Sequence, residues 1–445
     1  MLLGLRPSQT QQLSLFIGLL LCYSFLSIWG IREHLSFIGV YLSCFVLTYF
    51  FYKNPLTLRQ IFISGIIFRL LFLFDLPALS QDYFRFIWDG LLLHEGYNPY
   101  RFTPNDWMES GKEFSPALQT ELYYGMGELS AQHYSNYPPI NQFGFYLSTL
   151  ISPNSILTSV VCMRFLLILA DIGIYFLSCK ILPYLNLSKT KVGYYFLNPL
   201  IIIELTGNLH WEGVMLFFFA LGIYGLLIGK WQRAVVPMVL SVGTKLLPLL
   251  SLPLVWHYLK PKKSLLFGSF CALGISFLFL PFFYGLGYEN YFKTLSLWFT
   301  TFEFNASFYY IIRAIGYELK GYNIIRSLGK ITPFIIIGVV FVFAFFRNNG
   351  HPKKWILSML LLMTTYFFLS TTVHPWYIST LVFLGMLSQY SYPWVWSALV
   401  VLSYTTYMHP NFEENLSIIS LEYLAVLGVL CFEIRKKKSL LEHLK

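Results

Sequence analysis

With 445 residues, 56% of them hydrophobic and only 12% charged, the chain holds more apolar side chain than one soluble core could bury. A water-soluble globular enzyme is excluded, and an all-α polytopic membrane protein is expected. The net charge of +10 does not indicate nucleic acid, because Lys and Arg gather in short loops between apolar runs, the distribution that sets membrane orientation. The six cysteines all lie inside apolar stretches, which leaves no disulfide framework and no Cys-x-x-Cys metal motif.

Crossing a hydrocarbon core of ~30 Å takes about 20 helical residues. Apolar runs of that order begin at 12–30, 35–52 and 58–75, the first without a cleavage site after it and therefore expected to be a retained span. Residues 76–155 are too mixed to cross. Further spans are expected at 156–182, 192–207, 212–229, 264–284, 331–346, 355–373, 376–390, 393–408 and 416–434. The whole chain, 1–445, reads as a single integral-membrane catalytic domain without internal repeats or low-complexity tracts.

Placing the N-terminus in the cytoplasm puts Lys53 and Arg59, Lys189 and Lys191, Lys230 and Arg233, Lys260 to Lys263, Arg347 to Lys354, and Arg435 to Lys438 on the inner side. This holds only if residues 231–258 enter and leave on the same side. They are expected to form a hairpin with legs at 231–244 and 245–258 and the Gly243-Thr244-Lys245 turn at its tip. A leg of that length rises about 21 Å, so the tip stops short of the far surface. Pro248 and Pro253 suit an irregular element sheltered by protein. Both termini are then cytoplasmic, and 76–155 and 285–330 become extracytoplasmic segments with interfacial helices.

Chemistry concentrates at a few places. Ser80 can cap a helix over Gln81 to Glu95 that ends at Gly96 and the Asn98-Pro99 turn. Asp82, Arg85 and Asp89 share one stripe of it. Arg85 and Asp89 have the spacing of an ordinary ion pair. Asp82 has no local cation in sequence, and a carboxylate at a membrane boundary is costly unless used. The turn Glu204-Leu-Thr-Gly-Asn-Leu-His-Trp-Glu212 brings Glu204, Asn208, His210 and Glu212 to the same face. At the tip of the expected hairpin Lys245 lies too deep to snorkel and has no acid beside it in sequence, so an anionic lipid headgroup phosphate is its expected partner. His374, Trp376 and Tyr377, in Thr371-Thr-Val-His-Pro-Trp-Tyr377, fit a phosphate or sugar contact as well as an interfacial belt, and Tyr137-Pro138-Pro139 supplies a stiff rim.

Taken together, several motifs resemble the membrane-embedded GT-C glycosyltransferases that use polyprenyl-phosphate sugars, especially bacterial mannosyltransferase-like members. They are Asp82…Trp88-Asp89-Gly90…Gly96-Tyr-Asn98-Pro99-Tyr100, Tyr137-Pro138-Pro139, Asn198-Pro199 with Gly207-Asn208-Leu-His210, Lys245-Leu-Leu-Pro248, and His374-Pro-Trp376-Tyr377. The resemblance implies a bundle of roughly 12–14 transmembrane or re-entrant helices. It further implies a place in the cell (inner) membrane, an extracytoplasmic active site, and Asp82 as catalytic base. Arg85, Asp89, Asn208, His210, Glu212, Lys245, His374, Trp376 and Tyr377 would contact substrate or its phosphate. Gln81 and Phe84 stand where paired acids would make Asp-Asp or Asp-x-Asp, so metal ligands are unknown, and a divalent cation, Mg2+ or Mn2+, is the one cofactor left open.

The expected reaction is direct, inverting transfer of a hexosyl group, mannosyl by resemblance, from a polyprenyl-phosphate donor to a lipid, glycan or protein acceptor. Membrane lipids are the surroundings, and nucleic acid has no part. Two rivals are a polysaccharide polymerase or ligase using polyprenyl-diphosphate glycans, which should favour an arginine-rich outer loop, and a lipid or solute transporter, which should favour repeats.

Overall fold

The computed structural model describes residues 7–442, with side chains described from Gln9 to Lys436 except at 116–117, so Lys437 and Lys438 of the basic C-terminal cluster have no side-chain account. Among the described residues the chain is helical, and its β structure is one isolated bridge between Phe304 and Thr372. Among the described residues, six helices are long and apolar enough to cross a membrane: Gln9–Trp29, Leu35–Lys53, Ile156–Tyr184, Pro261–Phe279, Ile325–Phe346 and Leu416–Lys436. The pair Ile201–Gly207 and Glu212–Leu227 makes a seventh if taken as one span, bent by 110°.

Several expected spans are shorter or broken. The run expected at 58–75 is a helix only over Leu58–Leu70, and 192–207 is divided among 3-10, α and π turns. The run at 393–408 is a short α-helix, Tyr392–Leu399, followed by 3-10 turns over Val400–Met408. Packing explains the difference. Helix Ile378–Ser388, for example, is buried at every residue from Ile378 to Leu387. An element surrounded by protein can be short or irregular, because neighbouring side chains, not lipid, satisfy its backbone. Arg164 does this at the bend, donating to the Thr206 and Gly207 carbonyls at 2.9 and 2.8 Å and to Leu73 and Asp75 in the turn after Leu70.

The stretch 231–258 breaks where the sequence indicates: helix Trp231–Thr244 ends, Lys245 is extended, and 3-10 turns run from Leu247 to Val255. Segment 76–155 folds into helices Asp82–His94, Pro104–Glu109, Pro116–Ala131 and Pro139–Leu150. Three of them begin with proline, whose fixed φ and missing N–H suit the first helical position. They enclose their own apolar cluster around Phe86, Trp88, Trp107 and Phe145. Gly90 is required there, because a Cβ would stand 2.6 Å from the Phe145 carbonyl oxygen.

Candidate active site

The approach to Asp82 is fastened from both sides. The Leu79 N–H donates to Asn208 Oδ1 at 3.0 Å, and the Leu79 carbonyl accepts from Arg32 at 2.9 Å. Asn208 is held in turn by donating to the Ile203 carbonyl at 2.9 Å. The Asp82 N–H donates to Ser80 Oγ at 3.2 Å, and Gln81 reaches the Met126 carbonyl at 3.0 Å. The start of helix Asp82–His94 is thereby tied to the bend after Gly207, to the connection between the first two spans and to helix Pro116–Ala131.

Asp82 then lines a cavity of about 1700 Å³, together with Glu212, Lys245, His374, Trp376 and Tyr377. Glu212 opens helix Glu212–Leu227, after a bend in which Leu209 takes the left-handed conformation, φ 62°. Lys245 caps the end of helix Trp231–Thr244 and places Nζ 3.1 Å from Glu212 Oε1. Both charges complement their helix dipoles, an acid at an N-terminus and a base at a C-terminus. The acid that Lys245 lacks in sequence is supplied by a neighbouring helix. Burial raises the Asp82 carboxyl above the ordinary carboxylate range; Lys245 opposes the rise and Glu212 adds to it.

The aromatic contribution differs in kind from the one expected. The Trp376 indole is sandwiched, with His210 stacked at 3.7 Å and His374 at 4.5 Å between ring centroids. Both faces are covered, so Trp376 offers the cavity only an edge. Burial, reinforced by Lys245, holds the His374 imidazole down at about 3, so at neutral pH it brings hydrogen bonds and not charge. His210 stands 3.6 Å from Glu204, whose other oxygen accepts from the Tyr404 hydroxyl at 2.8 Å.

Of the remaining candidates, Arg85, Asp89, Asn208 and His210 are not among the residues lining this cavity. Arg85 Nε is 2.8 Å from Asp89 Oδ1, and its Nη1 donates to the Ser130 and His133 carbonyls at the end of helix Pro116–Ala131. Asp89 also accepts from Gln142 at 2.9 Å and from Ser135. Tyr100 secures the rim, its hydroxyl donating to the Tyr137 carbonyl at 2.5 Å while Asn98 reaches Phe282 across the fold.

Sequence reasoning passed over Arg32, which lines the cavity and stacks 4.0 Å over Tyr407. A signal was present: with the N-terminus inside, the connection holding Arg32 is on the side where the charge rule does not favour arginine. Tyr404 was hidden within an expected span. Among the described residues no three His, Cys, Asp or Glu side chains converge as metal ligands. The Lys245 ammonium already stands against Glu212, the other acid beside it in the cavity wall. This donor set does not fit a divalent-cation site.

Compared with known proteins, residues 20–260 match a family model described as alpha-(1->6)-mannopyranosyltransferase, N-terminal domain. No curated protein matches the chain. The matched stretch contains Arg32, Asp82, Glu212 and Lys245, while His374, Trp376 and Tyr377 lie beyond it.

Proposed function

The chain belongs to the alpha-(1->6)-mannopyranosyltransferase family, and we propose that it moves a mannosyl group from a polyprenyl-phosphate donor to an acceptor hydroxyl, with Asp82 as general base. The observation that carries this reading is one cavity with two characters. Its charged pole holds Asp82, Glu212 and Lys245, and Leu246, Leu249, Leu250, Leu295, Ile336 and Ile337 add an apolar wall. A phosphate joined to an isoprenoid chain matches both.

In the proposed reaction the acceptor oxygen attacks the anomeric carbon, its proton passes to Asp82, and the bond from that carbon to the phosphate oxygen breaks. A raised carboxyl pKa makes Asp82 a stronger base than an ordinary carboxylate. Lys245, aimed by Glu212, meets the charge growing on the departing phosphate, which needs no proton to leave. Asp82→Asn should keep the fold and lose the base. The family description names an alpha product, and a single displacement inverts configuration, so the donor is β-linked. The charge distribution of the loops favours placing this pole on the extracytoplasmic side of the cell membrane.

The test is transfer from labelled β-mannosyl phosphoprenol by the purified protein in detergent, with and without chelator. Label is expected in the acceptor product under both conditions. Transfer only from a polyprenyl-diphosphate oligosaccharide, or solute uptake into vesicles with no transfer, would replace this reading by one of its rivals.

A further inference from the structure

Two loops far apart in the chain are joined at one end of the bundle. Helix Pro261–Phe279 begins there and helix Ile325–Phe346 ends there, and both are long and apolar enough to cross the membrane. His257 Nε2 donates to the Phe345 carbonyl at 3.0 Å, the Trp256 ring meets Phe345 edge-on at 5.0 Å, and Tyr258 stacks on Trp355 at 4.8 Å. Asn349 keeps the second loop in shape, donating to the Phe343 carbonyl at 2.8 Å and accepting from Ser358 at 2.6 Å. The distribution of basic residues assigns this end to the cytoplasm.

The junction gathers Lys260, Lys262 and Lys263 from one loop and Arg347, Lys353 and Lys354 from the other, and all five lysines are exposed. The chain has no Asp or Glu at 213–288 or at 319–412, so neither loop holds an acid. Among the described residues none of these six side chains is in an ion pair. Glu433 of the last helix is engaged by the Ser391 N–H and hydroxyl, both at 2.8 Å. Like charges held together without an anion repel one another. Four of the lysines stand in the first turns of helices Pro261–Phe279 and Pro352–Leu369, where the helix dipole opposes a cation as well. Lys260 is held at φ 67°, a strained conformation for a residue with a side chain. Membrane orientation alone does not require this concentration, since the loops with Lys189 and Lys191 and with Lys230 and Arg233 meet the same rule with two cations each.

We propose that this junction binds an anionic phospholipid whose headgroup carries two phosphates, one facing each loop. Clustered Lys and Arg at the cytoplasmic ends of membrane helices attract such headgroups, and each cation near the surface adds to the attraction. Leu265, Leu266, Phe345 and Phe346 remain exposed beside the cations, an apolar surface for the acyl chains. A soluble dianion matches the charges and leaves that surface uncovered. A headgroup with one phosphate leaves one loop without an anion, and a zwitterionic headgroup brings its own ammonium into the cluster.

The inference does not depend on the transferase reading, and its test involves no turnover. The full-length protein, purified and delipidated in detergent, is titrated with cardiolipin, phosphatidylglycerol or phosphatidylethanolamine, with native mass spectrometry and thermal unfolding as readouts. Wild-type protein should retain one cardiolipin per chain in preference to the other two lipids, and should unfold at a higher temperature with it bound. Lys262→Ala with Lys263→Ala, and Lys353→Ala with Lys354→Ala, change exposed side chains only, and each pair should weaken cardiolipin binding about 30-fold. Lys189→Ala with Lys191→Ala, an exposed basic pair elsewhere, should leave it unchanged. Equal affinity for cardiolipin and phosphatidylethanolamine, or the same loss in all three paired variants, overturns the site. Equal affinity for cardiolipin and phosphatidylglycerol overturns the two-phosphate headgroup, and displacement of the lipid by an equal concentration of inorganic pyrophosphate overturns the lipid as its occupant.

Discussion

Lys245 holds its ammonium 3.1 Å from Glu212, one at the end of a helix and the other at the start of the preceding one. Glu212 is nearly inaccessible and Lys245 a quarter exposed. Removing only the cation leaves a buried carboxylate unpaired. Lys245→Met should therefore lower stability in detergent by about 2 kcal/mol, while Lys245→Met with Glu212→Gln recovers most of it. Thermal unfolding of the purified variants checks this. Equal stability of the single and double variants would mean the pair does not bear on the fold.

The same two residues act on Asp82 with opposite signs. The base works deprotonated, so kcat/KM should climb as pH rises through the Asp82 pKa, at a midpoint above the ordinary value of about 3.9. Glu212→Gln removes a negative neighbour and should move that midpoint down. Lys245→Met removes a positive one and should move it up, on a residual rate. Shifts in the same direction, or none, would separate the acid limb from Asp82.

Arg85 and Asp89 illustrate what the sequence discloses and what it withholds. Their spacing announces an ion pair, and the pair is present at 2.8 Å. Their carbonyl, serine and glutamine partners come from residues 130–142, which no local pattern assigns to them. Asp89→Asn should weaken the fold by about 3 kcal/mol, read as an earlier unfolding transition, while protein that remains folded keeps its transfer rate. A fall in rate at unchanged stability would return Asp89 to the substrate.

The membrane class, the break at Lys245 and the place of Asp82 at the start of a helix were legible because they depend on local composition, helix pattern and charge placement. Interior spans were not. Runs such as 393–408 have the hydropathy of a crossing helix, yet break where protein surrounds them, and hydropathy does not distinguish lipid from protein as the apolar neighbour. Trp376 was legible as a site aromatic but not as one with both faces stacked, since His210 and His374 come from distant parts of the chain. Phe304 is brought to the segment holding His374 by an isolated two-residue bridge with Thr372, which leaves no periodic trace.

The apolar wall makes a prediction of its own. Leu249 lines the cavity and is 46% exposed, so Leu249→Glu changes the wall and not the core. For a long-chain prenyl donor KM should rise about tenfold, and for a donor with one or two isoprene units it should change little. Equal effects on both donors would place the chain elsewhere.

The central claim is that Asp82 removes the acceptor proton. Its most direct test is single-turnover transfer from β-mannosyl phosphoprenol by Asp82→Asn, measured beside donor binding by the same preparation. The account predicts donor binding at the wild-type level and a transfer rate lower by ~10² to 10⁴. Transfer at the wild-type rate by the folded variant would contradict it.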